Sequence, residues 1–384
     1  MTTAMPLQAL AADRTKLTLE RIEVVPLIAP LAREFRGSHY RMSQRATVVT
    51  RLYTKEGIVG EAYTGDELET LPQIMSVITD EIAPRILGAN LMATTKVWET
   101  AYPATYDILR DRRIGLVALA AIDTAMWDAV GKVLEVPLHV LWGGYRDRIP
   151  LIAIGGYYGE PLGSIEHEVD EYLTMGLAGM KFKIGGASPE VDAGRVRRAR
   201  AAAGDDFILM VDANQGYTVA EAVEFSRQVE ALGLRWFEEP VGWANDRRDL
   251  ATVRSLGGIP IAAGQSELSP TGCRELMEAG AIDVCNFDAS WSGGPTAWLR
   301  TAAIAHGFGV QMGHHEEPQL STHLLASQAH GTYAECFHPD RDPFWWNLIE
   351  NLPQVTDGEV ALPSGAGLGW TLSKDYIERY RVDR

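Results

Sequence analysis

From about Leu17 to Glu61 the chain alternates apolar and polar positions in three runs, Leu17 to Val25, Ala46 to Tyr53 and Ile58 to Ala62, with Lys55-Glu56-Gly57 as a turn between the last two. That pattern predicts a three-stranded meander. From about Leu71 to Val140 the period becomes helical, most clearly from Gly115 to Gly131, where the chain is apolar nearly all round. A helix of that composition has to be buried.

After Gly143-Gly144 and Pro150 the rhythm changes. Short apolar runs begin near Ile152, Met180, Phe207, Leu234, Ile259, Ile282, Gly309 and Tyr333, and helix-sized segments such as 189–203, 219–232, 271–279, 296–306 and 319–329 lie between them. Eight strand-helix units at this spacing predict an α/β fold, a (β/α)8 TIM-type barrel. A doubly wound sheet would want a glycine-rich phosphate loop after its first strand, and neither G-x-G-x-x-G nor a P-loop occurs. Three segments are expected: an α+β capping domain over 1–148, the barrel over 149–341, and a tail over 342–384 that returns to the capping domain.

Composition narrows the partners. Among 384 residues, 35 Lys and Arg face 51 Asp and Glu, a formal charge of −16 with no basic stripe, so nucleic acid is an unsuitable partner. Cys273, Cys285 and Cys336 are odd in number and far apart, which fits neither a disulfide framework nor a zinc site and agrees with a reducing, cytoplasmic setting. Met1 to Pro6 shows no basic region followed by an apolar one, and no run of 18 uncharged apolar residues occurs, so neither export nor a membrane is expected. A homo-oligomer acting on a small-molecule carboxylate is expected.

A barrel places its chemistry where its strands end. Those ends carry Lys181 and Lys183, Asp212 and Asn214, Glu238 and Glu239, Gln265 and Glu267, Asp288, His314 and His315, and Glu335. Asp212, Glu238 and Gln265 follow one another at one strand-helix unit each, which brings three oxygen side chains to adjacent strands and suits a hard cation such as Mg²⁺. Any one of them alone serves equally well as a helix cap. Lys181 and Lys183 share a strand face and fit either a salt-bridge network or a lysine tuned for base catalysis. Asp288 and His315 end successive strands and can form a carboxylate-oriented imidazole base. Glu335, one strand further, can hydrogen-bond to charge on a substrate oxygen. His314 points away from its neighbour and reads as structural or as a pocket liner, and Glu316 and Glu317 read as caps of the next helix.

The chain resembles the mandelate racemase branch of the enolase superfamily over nearly its whole length. The resemblance rests on Ala121 to Lys132 with Leu141-Trp142-Gly143-Gly144, then Lys181-x-Lys183, Val211 to Asn214, Phe237 to Pro240, Asp288 with Gly293-Gly294, His315 and Glu335, all in register. It implies a common first step: Mg²⁺ holds the substrate carboxylate, a base removes the adjacent proton, and the cation stabilises the enediolate. By the same resemblance Lys183 is a base on one face and the Asp288/His315 dyad the base or acid on the other. Lys181 neutralises the substrate carboxylate, Glu335 donates a hydrogen bond to it, and the capping loops near 33–42 and 106–113 select the substrate.

One position departs from the family: Gln265 stands where a third metal-binding Glu is usual. Its amide oxygen remains an acceptable ligand but removes one negative charge, and Glu267 two residues on is the alternative ligand; loss of metal binding is the third possibility. The loop from Arg33 to Arg41 is polar and basic, with Arg36 and His39 as expected substrate contacts beside Asn214. That favours dehydration of an acid sugar, an aldonate or aldarate, to a 2-keto-3-deoxy acid. A racemase, epimerase or cycloisomerase on the same site is the runner-up, and a catalytically silent acid-sugar binding protein the reading from another class.

Overall fold

The computed structural model describes residues 14–65 and 68–382; Met1 to Pro6, on which the export expectation rests, lies outside them. The meander is present with longer arms than the alternation predicts. Strands β1 (Leu19–Arg36), β2 (Arg41–Thr54) and β3 (Val59–Thr64) pair antiparallel in that order. Val25, Pro26 and Leu27 are all buried, so alternation fades along β1, yet β2 supplies partners as far as Arg36 opposite Arg41.

Helix α1 (Arg112–Leu134) starts at Asp111, whose carboxylate accepts from the Arg113 N–H, and stops at Glu135 in the left-handed region. By length and composition α1 matches a bilayer-spanning helix, but 94% of its most apolar window is buried against protein. Its apolar surface packs against β2 and β3, the helical segments of the cap between 71 and 105, and the barrel helix that begins at Pro295.

The barrel runs β4 (Arg148–Gly155), α2 (Ile165–Thr174), β5 (Gly179–Lys183), α3 (Pro189–Ala203), β6 (Ile208–Asp212), α4 (Val219–Val229), β7 (Phe237–Glu238), α5 (Asp246–Gly257), β8 (Ile261–Ala263), α6 (Pro270–Glu278), β9 (Val284–Cys285), α7 (Pro295–Phe308), β10 (Gln311–Met312), α8 (Pro318–Ser327) and β11 (Ala334–Phe337). All neighbours from β4 to β10 pair in parallel, and β11 pairs in parallel with β4 to bring the ring round. Between β10 and β11 the seam is one parallel bridge, Met312 to Gly331.

The tail does not return to the capping domain as one piece. Strands β12 (Val355–Thr356) and β13 (Glu359–Ala361) form a hairpin, and β13 pairs with Arg148–Pro150 at the start of β4. That stretch of β4 precedes its pairing with β5 and β11, so it is an open edge needing cover. The tail's two ends reach the capping domain: Asp342 meets Arg45 of β2 at 3.4 Å, and after the last helix, α9 (Lys374–Tyr380), the Val382 N–H donates to the Pro26 carbonyl at 3.1 Å.

Cap and barrel are joined beside the end of β9. Asp123 on α1 accepts from the Thr296 N–H and hydroxyl, both at 2.8 Å, while Trp98 donates its indole N–H to the Gly293 carbonyl at 2.7 Å. Gly294 has φ +89, and a Cβ there would lie 2.5 Å from the Asp123 carboxylate, so only glycine lets α7 begin against α1. Asp123→Ala strands a helix-start N–H and a buried hydroxyl and should lower unfolding free energy by about 2–4 kcal/mol. Asp123→Asn keeps one acceptor and should lose less than half as much by urea unfolding; equal losses in the two variants would mean the hydrogen bonds contribute little.

Candidate active site

The barrel interior has two layers. Ile152, Met210, Trp236, Ala262 and Val284 form an apolar floor. Two residues further along the same strand faces come Asp212 after Met210 and Glu238 after Trp236. The Trp236 indole donates to Glu238 at 3.2 Å, so the floor itself helps fix the charged layer above it.

In that layer Lys181 is fully buried, with Nζ 2.7 Å from Glu238, 2.7 Å from Glu335 and 3.9 Å from Asp212. Lys183 Nζ lies 2.7 Å from Asp212 and 3.0 Å from the Asn214 side-chain oxygen. Burial alone would drive both lysines toward the neutral form; the carboxylates around Lys181 and Asp212 beside Lys183 outweigh it and raise both. Burial pushes Glu238 up to about 8 despite Lys181. Asp212 moves the other way: burial raises it, but Lys183 and Lys181 prevail and hold it low.

At β8 the two rival oxygen donors separate. Regular strand ends at Ala263, and Gly264 takes φ +139 with Cys285 and the Phe287 N–H only 3.2 Å from where a Cβ would stand. This turn ends the two-residue alternation, so Glu267 does not share the face of Gln265. Glu267 is drawn outward to Arg247 at 2.7 Å, whereas Gln265 is buried and its amide oxygen accepts from Asn286 at 3.4 Å. The expectation that Glu267 can replace Gln265 fails on this geometry.

Asp288 and His315 meet as expected, Oδ2 to Nδ1 at 3.0 Å. The other Asp288 oxygen accepts from the Ser290 N–H and hydroxyl and from the Trp291 N–H, which hold the carboxylate in place. His314 is tied into protein: Nδ1 donates to the His315 carbonyl at 2.8 Å and Nε2 accepts from the Ala289 N–H at 3.1 Å, and burial lowers its pKa. Glu316 and Glu317 are not caps. No side-chain cap bond starts α8; Glu317 pairs with Arg45 of β2 at 3.0 Å, and Glu316 lies 3.3 Å from His315 Nε2. Pattern reading missed this because both residues sit in left-handed turns, φ +53 and +50, that reverse the directions expected before a helix.

A cavity of about 430 Å³ opens onto Lys183, Asn214, Gln265 and His315, and the cap lines it with His39, Tyr40, Met42 and Arg113. Arg36 is not part of its wall: the residue lies on the exposed edge of the hairpin opposite Arg41, and its carbonyl accepts from the Tyr158 N–H. Arg341, just past β11, Trp291 and Glu316 also line it; Arg341 and Trp291 were missed because they lie beyond the strand ends that motif spacing marks. Non-glycine residues with positive φ gather here: Asn214, Gln215, Glu239, Glu316 and Glu317 all follow barrel strands.

Residues 21–143 match the mandelate racemase/muconate lactonizing enzyme N-terminal domain, and residues 164–376 the enolase C-terminal domain-like family. The chain belongs to the mandelate racemase branch of the enolase superfamily. A mandelate racemase/muconate lactonizing enzyme from a marine actinobacterium, solved in complex with magnesium, is 61% identical, covers 96% of this chain and 100% of its own, and superposes with a TM-score of 0.92. Arabinonate dehydratase of Saccharolobus solfataricus is 29% identical over 87% of this chain and 90% of its own length. The 3,6-anhydro-alpha-L-galactonate cycloisomerase of Streptomyces coelicolor is 28% identical over 95% and 99%. Within this enzyme family, acid-sugar dehydratases and cycloisomerases are thus both relatives of the chain.

Burial would lower the His315 pKa, but Glu316 and then Asp288 raise it to about 9. A folded pKa above the unfolded value of about 6.5 gives stability that is complete below that pH and lost as pH rises through about 9. Urea unfolding between pH 6 and 9.5 should show a decline of order 1–3 kcal/mol from this group, flattened in His315→Asn; the same slope in both proteins would place the proton elsewhere.

Proposed function

We propose that the chain dehydrates an acid sugar, removing the proton next to a carboxylate and expelling the hydroxyl from the following carbon to leave a 2-keto-3-deoxy acid. The observation that carries this reading is one cavity reached by Lys183 from β5 and by His315 from beyond β10, with a wall of polar and charged groups suited to a hydroxylated anion.

The residues fit a divalent cation. Asp212, Glu238 and Gln265 follow adjacent strands β6, β7 and β8, all three donors are oxygens, and around them three carboxyl groups, Asp212, Glu238 and Glu335, meet two lysines, so that Glu238 is pushed up to about 8 and would give its proton up to a cation. A bound Mg²⁺ would polarise the substrate carboxylate and, by engaging Asp212, relieve Lys183 of the partner that keeps it protonated. Lys181 would balance charge on the carboxylate, and Glu335, 2.7 Å from Lys181, would donate a hydrogen bond to the same group as a carboxylic acid. Lys183 takes the α-proton. His315, oriented through Nδ1 by Asp288, gives a proton from Nε2 to the departing hydroxyl. Asn214 contacts both Lys183 and Asp212 and steadies the amine, and His39 meets the substrate from the cap.

The position of Lys183 and His315 on well-separated strands of one ring also favours a second reading, racemisation or epimerisation by two opposed bases. Incubation with an acid-sugar library and Mg²⁺ in deuterated water separates them: dehydration yields a new ketone, whereas racemisation only exchanges the α-hydrogen, and exchange without ketone would overturn the first reading. Lys183→Ala and His315→Asn should each lower turnover by about 10²–10⁴-fold or more with the fold intact. Near-wild-type activity in both would remove the assignment.

Metal titration tests the ligand set. Gln265→Glu should bind Mg²⁺ more tightly than the wild type because it restores a charge to the site. Glu267→Gln should leave affinity unchanged, since Arg247 holds that carboxylate away. No binding by the wild type would favour a silent acid-sugar binding protein.

A further inference from the structure

Glu316 has no part in the function proposed so far, yet its carboxylate is the nearest charged group to the free nitrogen of His315. Nδ1 of that ring is committed to Asp288 at 3.0 Å, which leaves Nε2 as the nitrogen available for proton transfer. Glu316 Oε1 lies 3.3 Å from Nε2 in an ion-pair contact, and that distance is short enough to act on the proton there.

The carboxylate is held where it is by both halves of the molecule. The Glu316 N–H donates to Glu335 at 3.0 Å, Arg45 of the capping meander lies 3.8 Å from its other oxygen, and its backbone occupies φ +53. Arg45 also binds Glu317 at 3.0 Å and Asp342 at 3.4 Å, so the turn carrying Glu316 is pinned to the cap. Strain of this kind in a non-glycine residue persists only where the surroundings enforce it.

Other charges face the imidazole as well. Asp288 and Glu239 attract a proton to it, Lys181 repels one, His314 is bound to backbone groups with its pKa lowered by burial, and Trp291 packs against the ring at a 45° tilt, centroids 4.7 Å apart. Glu316 is the carboxylate on the Nε2 side.

We infer that Glu316 is a positioning residue that keeps His315 doubly protonated before substrate binds, so that the Asp288–His315–Glu316 cluster starts each turnover as an acid and not as a base. The inference rests on the dehydration reading. In proton terms, Lys183 accepts the α-proton, the C–O bond to the β-hydroxyl breaks with its electron pair, and the proton on Nε2 completes the water that leaves. The proton on Lys183 goes to the β-carbon as the enol becomes the ketone, and the enol O–H proton returns through solvent to Nε2, where Glu316 stabilises it. Each group ends as it began. A racemase working in both directions needs His315 neutral at the start of one of them, and a carboxylate fixed at Nε2 opposes that state.

The test uses Glu316→Gln, which keeps the size and backbone of the side chain and removes only its charge, in protein with Mg²⁺ present. First, the His315 pKa is read by NMR without substrate, with His315→Asn to assign the resonance. It should fall by about 1–3 pH units; an unchanged value overturns the inference whatever the reaction proves to be. Second, the pH dependence of kcat/KM on an acid-sugar substrate is compared with the wild type. The limb that falls at high pH, set by loss of the acid's proton, should move to lower pH by the same amount. If the NMR value falls but the limb that moves is the rising one at low pH, His315 is working as a base, and it is the dehydration assignment and not the Glu316 contact that fails.

Discussion

Removing an ammonium group from water costs several kcal/mol unless carboxylates meet it at close range, and Lys181, fully buried on β5, is met by three. That requirement organises the rim of the barrel. Glu238 and Glu335 come from strands on either side of β5's neighbours, so the lysine can be satisfied only when the ring has closed and β11 lies against β4. The charged layer and the barrel topology therefore stabilise each other. The apolar floor below keeps water from reaching the cluster from the other end, and its one polar atom, the Trp236 indole nitrogen, is spent on Glu238. The cluster sets three acids against two lysines, and Glu238, pushed up to about 8 by burial, is the acid left without a full partner, so the site has the donors for a cation that would take the place of that proton.

Closing the top of this layer falls to the capping domain, and it is fastened at points that also act on the chemistry. Trp98 and Asp123 clamp the Gly293-Gly294 turn just after Asp288, and Arg45 grips the turn just after His315. The Asp288–His315 pair is thus bracketed by two cap attachments, one on each of its strands. The hairpin tip and the start of α1 then supply His39, Tyr40 and Arg113 to the cavity from opposite directions. Movement of the cap would shift the wall of the cavity and the turn carrying Glu316 together.

How far this was legible in sequence depended on how regular the backbone is. The barrel, the buried helix and the pairing of Asp288 with His315 follow from periodicity and spacing, because strands repeat by two and strand-helix units by about one length. Past the last hydrogen-bonded residue of each strand that rule lapses. Gly264 turns the chain so that Gln265 points inward and Glu267 outward, which alternation would have put on one face. Glu316 and Glu317 look like helix caps, yet left-handed turns send one to His315 and the other to Arg45. The tail looked like a single return to the cap, but an open edge on β4, visible only once the strands are placed, draws part of it to the barrel. Arg36 sits in a stretch rich in plausible contacts, yet it is exposed opposite Arg41 and not among the residues lining the cavity.

The same contrast separates the site positions fixed by strand pairing from those fixed by the turns that follow. Lys181, Lys183, Asp212 and Glu238 stand on regular strand, where side-chain direction is dictated by pairing with two neighbours, and such positions tolerate little change in what they hold. Gln265, Glu316 and Arg341 stand on the turns that follow, where direction is set by a single glycine, a left-handed residue or a contact from the cap. Substitution there changes the charge seen by the cation site or by His315 without disturbing the ring beneath. The strand-end framework is thereby set by strand pairing, while part of the charge that bears on His315 is set by a turn one position beyond it.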